Sequence, residues 1–362
     1  DHRDLHSFPT RRSSDLTFLT PALPHRLDVL SRPVTYVIFS AESADGRAHD
    51  CRVYFDCGGE PCVDQPGDQV VWSRYRHGDF ELMSFGAANQ HPLSRCGDNL
   101  RIDWGRFYLG VPHRFAAASA IGANRILRSG FAAEGTLPAE DCLDMPQRVN
   151  QNWMALATAL PLAVSAAGSA EAWAVLAYDD VLAIEYLNRR LPAYWRSKVP
   201  GFSELLSLAA AEFEPLRREC EAYDARLMSD AEQAGGAKYA EICALSFRQA
   251  IAAHKLVADF DGTPLFFSKE NFSNGCIATV DVTYPSAPLF LLTSPALLKG
   301  MLIPILDYSE TYRWKFPFAP HDLGTYPLAN GQVYGGGERT EDNQMPVEEC
   351  GNMLILAGAL VA

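Results

Sequence analysis

The chain has 362 residues, of which 48% are hydrophobic and 21% charged, with a formal net charge of −13 and a pI near 5.1. Those are the proportions of an ordinary globular protein with room for two domains. The acid excess argues against a nucleic-acid or anionic-membrane partner, because no basic surface offsets phosphate repulsion, and no run of about 18 apolar residues reads as a membrane span.

The first sixteen residues, DHRDLHSFPTRRSSDL, have neither an apolar period nor a secretory pattern. They resemble a translated sequencing-adaptor artefact and are set aside from the fold. A signal peptide is then not observable. Residues 17–140 read as a β-sandwich. Short β-branched and aromatic runs at 33–43, 49–59, 68–76, 79–86 and 100–111 are separated by turn clusters such as SADGR and RHGD. In CRVYFDC, Val53 and Phe55 share one face, and Tyr54 and Asp56 share the other. RFAAASAIG and NRILRSGFAAEG, within 114–135, continue that pattern. TLPAEDCLDMPQ (136–147) is acidic, carries Pro and reads as a linker, and 141–169 are expected to hold it and a first helical region.

From 170 onward a helical period is expected. In AEAWAVLAYDDVLAIEYLNRRL (170–191), Trp173, Leu176, Ala177, Val181, Ile184 and Leu187 fall on one broad stripe. Residues 202–233 predict one long helix or two, broken near Pro215 and ended by Gly235-Gly236. Residues 237–259 predict another, with Ile242, Leu245, Ala250 and Ile251 inward. PVEECGNMLILAGALVA (346–362) begins as a helix and closes on apolar residues without a cap, which leads us to expect sequence beyond it. The nine cysteines show no CxxC pair or Cys/His ligand spacing, so a zinc site is not expected; no cofactor is expected either.

The segments SKENFSNG, TVDVTYPSAPLFLL, FAPHDLGTYP and MPVEECGNMLIL, with YDDVLAIEYL and GGAKYAEICALSFRQ, resemble the glutaminase A family over essentially 17–362. The resemblance implies a multi-domain β + α chain: a β-sandwich, then an (α/α)6 toroid of six helical hairpins, of which 170–362 would be the first part. It also implies hydrolysis of L-glutamine to glutamate and ammonia, mostly by secreted enzymes, hence a secreted or periplasmic location. The toroid is shared with many glycoside hydrolases, so a glycosidase with two opposed carboxylates is the alternative, and a non-catalytic ligand-binding member is the third reading.

Residues 268–353 concentrate acids, amides and aromatics in non-periodic sequence, where binding and chemistry tend to sit. Amide hydrolysis needs an activated water, an acid for the leaving nitrogen and donors for the oxyanion. Asp322, Glu348, Glu270 and Asp281 are the candidate catalytic acids. Each has a structural alternative. Glu348 and Glu349 fall in a first helical turn, where acids meet the helix dipole; about 100° apart, at most one of them faces a pocket. Asp322 can stabilise the turn before Gly324. Asp281, in a strand-like run between Val280 and Val282, needs a partner if buried. Glu270 can pair with Lys269 or Arg248. His321, Trp314, Tyr326, Asn271, Asn274, Arg248, Glu349 and Asn352 are the candidate binders of a small-molecule substrate, glutamine or a glycoside. Asn274-Gly275 reads equally as a turn, the aromatics as loop packing and Arg248 as an ion-pair member. Ser268, Ser273 and Cys276 are possible nucleophiles outside any GxSxG elbow.

Overall fold

The computed structural model describes residues 14–362, so residues 1–13 lie outside the described residues. Ten strands build the N-terminal part: β1 (Ser14–Leu19), β2 (Val34–Glu42), β3 (His49–Gly58), β4 (Gln69–His77), β5 (Phe80–Ala87), β6 (Arg106–Pro112), β7 (Ala118–Ala123), β8 (Gln147–Arg148), β9 (Met154–Val164) and β10 (Ser169–Asp179). Three short helices interrupt them, α1 (Leu27–Leu30), α2 (Asn124–Glu134) and α3 (Val149–Asn152). The strands pair antiparallel into a seven-stranded sheet, β1-β2-β10-β6-β5-β4-β8, and a three-stranded sheet, β3-β9-β7.

Between the sheets, Val37, Phe39, Trp72, Phe85 and Leu109 meet Ile121, Leu156 and Leu160 in one buried cluster. Successive side chains on a strand point to opposite faces. Tyr36, Ile38, Phe80, Trp173 and Val175 therefore point the other way. They are covered by Leu205, Leu206, Ala209 and Phe213 of a 34-residue helix, α4 (Phe202–Gly235). The Tyr36 hydroxyl donates to the Ala209 carbonyl at 2.8 Å. The large sheet is thus buried on both faces, and α4 joins the sandwich to the helical C-terminal part.

Small pieces connect the two parts. β11 (Ile184–Tyr186) pairs with β12 (Arg189–Leu191) and, in parallel, with β15 (Leu328–Ala329). α5 (Ala237–Ala252) folds back on α4 at Gly236, and the Tyr223 and Phe247 rings meet across the hairpin at 5.9 Å. β13 (His254–Ala258) and β14 (Pro264–Ser268) form a two-stranded ribbon. α6 (Val280–Thr293) and α7 (Pro295–Ser309) meet at Ser294, and α8 (Pro346–Val361) packs on α6. Phe267, Ile277, Phe290, Leu298, Tyr308 and Met353 lie in their common core.

Several sequence expectations are corrected. Residues 170–191 are not a helix but β10, β11 and β12. A strand buried on both faces loses its alternation, and its continuous apolar run then fits a helical stripe as well as a strand. The expected linker and helical region of 141–169 contains β9, the middle strand of the smaller sheet. The strand pattern expected through 135 stops at Ala123, and Asn124–Glu134 are helical, closed by Gly135 in the left-handed region at φ 67°. The helix expected to run to 259 ends at Ala252, and Ile242 and Leu245, expected inward, are 62% and 53% exposed. α4 passes Pro215 unbroken and ends at Gly235, as the glycine pair suggests. Ser14–Leu16, set aside with the first sixteen residues, extend β1 along β2. An edge ladder asks only for backbone groups, and Leu16 and Phe18 stay half exposed.

His254 carries a consequence for stability. Its ring stacks on Phe266 at 4.5 Å and meets Phe290 edge-on, Nδ1 donates to the Ala250 carbonyl at 2.6 Å, and Nε2 is buried without a partner. Burial pushes its pKa down to about 4. The unfolded chain takes up this proton near pH 6.5 and the folded chain does not. Stability is therefore present above pH 6.5 and lost as pH falls toward 4, by on the order of 3 kcal/mol. Chemical denaturation between pH 7 and 4.5 should show this slope, and His254→Phe should flatten it.

Candidate functional site

Two loop segments distant in sequence run side by side in the C-terminal part. The Leu323 amide donates to the Ile277 carbonyl at 3.0 Å, that of Ile277 to Gly324 at 3.0 Å, and that of Val280 to His321 at 2.8 Å. This pairing sets the first turn of α6, which contains Asp281, against His321 and Asp322. The structure therefore places Asp281 on a helix rather than in the strand-like run expected from its β-branched neighbours. α8 brings Glu349 to the same place. The ligand atoms of Asp281, His321 and Glu349 all lie within 4.8 Å of one another, and His321 Nε2 stands 3.8 Å from Asp281 Oδ1.

Asp322 holds the arrangement. Its fully buried carboxylate accepts from the amides of Gly324 (2.8 Å), Val333 (3.0 Å) and Tyr334 (3.1 Å), and from His321 Nδ1 (3.0 Å). Gly324 is required there: its φ is +135°, and a Cβ would come 2.3 Å from the Leu328 carbonyl oxygen. With Nδ1 bound to Asp322, Nε2 is the His321 atom that faces the two carboxylates. Tyr334 stacks on the ring at 4.0 Å. Gln332 accepts from the His321 amide at 2.8 Å and donates to the Tyr334 carbonyl and the Gln344 side chain. Burial pulls the His321 pKa down, but the bond and charge of Asp322, with the charges of Asp281 and Glu349, carry it above its ordinary value.

The two facing carboxylates are poorly satisfied. Glu349 is 0% exposed and neither oxygen has a hydrogen-bond partner. Burial pushes its pKa up to about 7, and Asp281 adds to the rise; His321 and Asn352, one turn further along α8, oppose it. Burial also raises Asp281, whose Oδ1 is likewise unpartnered. Among the described residues no Lys or Arg pairs with either one. Cys276, buried beside His321 and Asp322, is held as a thiol by burial and by the charges of Asp322 and Glu270, which leaves it unsuited to nucleophilic attack.

The other candidates disperse. Glu348 is exposed, yet its charge is felt at Asp281 and Glu349. Glu270 accepts from the Ser273 hydroxyl and from Thr279 Oγ1 (3.2 Å), not from Lys269 or Arg248. Trp314 is buried loop packing: its Nε1 donates to the Phe318 carbonyl at 2.6 Å, and its ring meets Tyr308 and Phe316. Tyr326 lines a hollow of about 240 Å³ with Trp104, Tyr178 and Lys255. Asn271 lines one of about 460 Å³ with Asp98, Arg101 and Lys269. The Asn274 side chain accepts from the Cys276 amide at 2.9 Å, and Gly275 follows at φ +70°, so this pair is a turn. Arg248 is exposed on α5 above a groove lined by Leu19, Leu23 and Phe247, away from the cluster. Gln332 was not singled out in the sequence, since a lone glutamine in a glycine-rich loop carries no motif.

Residues 236–362 match the family model described as the glutaminase A six helical-hairpin domain, and residues 11–230 match a domain of unknown function, DUF5127. The chain belongs to the glutaminase A family. It is 30% identical over 349 residues to a glutaminase A of Aspergillus oryzae, covering 94% of this chain and 49% of that protein. It is 27% identical over 378 residues to a probable glutaminase of Arthroderma benhamiae, covering 96% of this chain and 41% of that protein. The chain thus spans about half the length of the curated relatives it matches. The expected fold class holds: a sheet-rich N-terminal part precedes the helical-hairpin domain. A solved structure whose description names a kojibiose phosphorylase from human microbiome aligns at TM-score 0.40 and 12% identity, over 84% of this chain and 34% of that one, too loosely to carry an argument.

Asp322→Asn puts an NH2 donor where four donors converge. A buried hydrogen-bond mismatch of this kind costs on the order of 3 kcal/mol, so the variant should unfold at clearly lower denaturant than the parent. An unchanged midpoint would show that the carboxylate is not the tie described.

Proposed function

We propose that this chain carries a hydrolytic site of the glutaminase type, in which Asp281, His321 and Glu349 hold and activate a water against the side-chain amide of L-glutamine. One observation carries the reading: a fully buried, unpartnered carboxylate, Glu349, faces a second carboxylate and an imidazole oriented by Asp322. Unsatisfied buried polar groups are rare and cluster where chemistry is done. The names of the relatives supply the substrate class.

In this reading a carboxylate of the cluster takes one proton from the water as its oxygen adds to the amide carbon. Collapse of the tetrahedral intermediate breaks the C–N bond, and the proton leaves on nitrogen, giving glutamate and ammonia. His321 is placed to stabilise the oxyanion. Asp322, a candidate catalytic acid in the sequence, takes the role of a positioning residue, because all its acceptor sites face the interior. Glu349 replaces its neighbour Glu348 as the inward acid.

The separation of the carboxylates bears on the glycosidase alternative. Inversion needs about 6.5–9.5 Å between the two, to lodge a water beside the sugar, whereas the ligand atoms of Asp281 and Glu349 lie within 4.8 Å. Trp314, Phe316 and Phe318 pack on one another rather than forming an open platform. The separation argues against an inverting glycosidase only, since a retaining pair stands about 5–5.5 Å apart; the closed aromatic packing is what favours the amide. Among the described residues no helix is long and apolar enough to cross a membrane; a secreted or periplasmic location is part of the proposal and is carried by the family alone.

Ammonia release from L-glutamine by the purified protein tests the reading. Asp281→Asn and Glu349→Gln should each lower kcat by about 100-fold or more with little change in melting. Turnover of a glycoside panel but not of glutamine, or full activity in both variants, would overturn it.

A further inference from the structure

The same cluster holds more carboxylate than its surroundings balance. Glu349 is completely buried with both oxygens unpartnered, and Asp281 Oδ1 is unpartnered beside it. Glu270 and Glu348 add negative charge around Asp281. Among the described residues, His321 is the only basic side chain in ion-pair contact with these acids. A buried carboxyl that stays ionised is paired with a cation or coordinates a metal; otherwise it takes up a proton.

The geometry points to a divalent first-row transition-metal ion, of the Mn2+ or Zn2+ class, held by Asp281, His321 and Glu349. Three independent features agree. The candidate donor atoms are mutually within 4.8 Å, a spread that one ion can draw together. The imidazole is set up as a ligand: its Nδ1 donates to buried Asp322 at 3.0 Å, which turns Nε2 toward the carboxylates, and a carboxylate bound behind a histidine is the usual outer shell of a metal site. One imidazole nitrogen with two carboxylate oxygens is a donor set suited to such ions rather than to the soft-ligand metals. Three protein ligands leave a coordination position open, and a water there has a lowered pKa.

This inference rests on the hydrolase reading for its purpose but not for its evidence; with an ion bound, Asp281 and Glu349 would serve as its ligands, and the ion would supply the activation of the water.

The test uses Mn2+ as the probe, because the nine free cysteines would compete for Zn2+ but have little affinity for Mn2+. Protein stripped with a chelator and dialysed is titrated with Mn2+, and the free ion is followed by its paramagnetic resonance. Uptake of one equivalent is expected, weakened more than about 10-fold in both Glu349→Gln and Asp281→Asn and retained in Glu348→Gln. Glu349→Gln keeps the shape and removes a buried charge, so without metal it should melt no lower than the parent, and lost uptake cannot then be ascribed to misfolding. No uptake by the parent, or equal uptake by the two ligand variants, overturns the site. Full ammonia release by chelator-treated protein that takes up no Mn2+ would sink the metal and leave the hydrolase. Uptake without ammonia release would sink the hydrolase and leave the metal.

Discussion

The candidate site depends on one buried carboxylate. Asp322 draws three backbone amides and an imidazole onto two oxygens, and those amides belong to two stretches of the same long loop, 323–324 and 333–334. Only short ladder pieces hold this loop, at 323–325 and at Leu328–Ala329, so the remaining backbone donors must find acceptors elsewhere. Bonds to an ionised acceptor are about twice as strong as neutral ones, and Asp322 supplies several at once. The side chain that folds the loop also fixes which ring nitrogen of His321 faces Asp281 and Glu349. Gln332 repeats the device on a smaller scale, binding the His321 amide, the Tyr334 carbonyl and the Gln344 side chain.

Above that knot, the scaffold is rigid for a different reason. The seven-stranded sheet is buried on both faces, by the smaller sheet on one side and by α4 on the other. The join between the sandwich and the helices is thus itself a hydrophobic core, with Trp173 wedged among Tyr36, Phe80, Phe115 and Phe213. The two family models divide the chain between residues 230 and 236, at the end of α4. That helix belongs by sequence to the N-terminal match and by geometry to the first helical hairpin.

That two-sided burial also explains what the sequence could and could not tell. The early strands were legible because turn clusters bound them, and the helices at 202–235 and 346–361 because glycine and proline punctuate their ends. β10 was not: with Ala172, Ala174 and Leu176 facing one core and Trp173, Val175 and Ala177 the other, polarity stops marking faces. At the site, the dense block holds Asp281, His321, Asp322 and the Glu348-Glu349 pair, and the structure brings Asp281, His321, Asp322 and Glu349 together. Roles within it depend on direction, and direction is tertiary. Nothing local says that Asp322 turns wholly inward or that Glu349 rather than Glu348 meets α6.

The adjacent glutamates show how one motif can stabilise at one position and cost stability at the next. An acid in the first helical turn is favoured by the dipole whichever way it points. At Glu348 the benefit comes without cost, since the side chain is solvated. At Glu349 the dipole only partly offsets burial, because its carboxyl is still pushed up to about 7. A glutamine or leucine there would remove that cost, so the carboxylate is destabilising for the helix that carries it. Buried groups that a fold tolerates at a loss are the mark of a site kept for binding or reaction. Asp281 sits in the first turn of α6, less deeply buried, with one oxygen unpartnered. Two helix N-termini therefore converge their acids on one oriented histidine. Packing alone would have filled that space with apolar side chains.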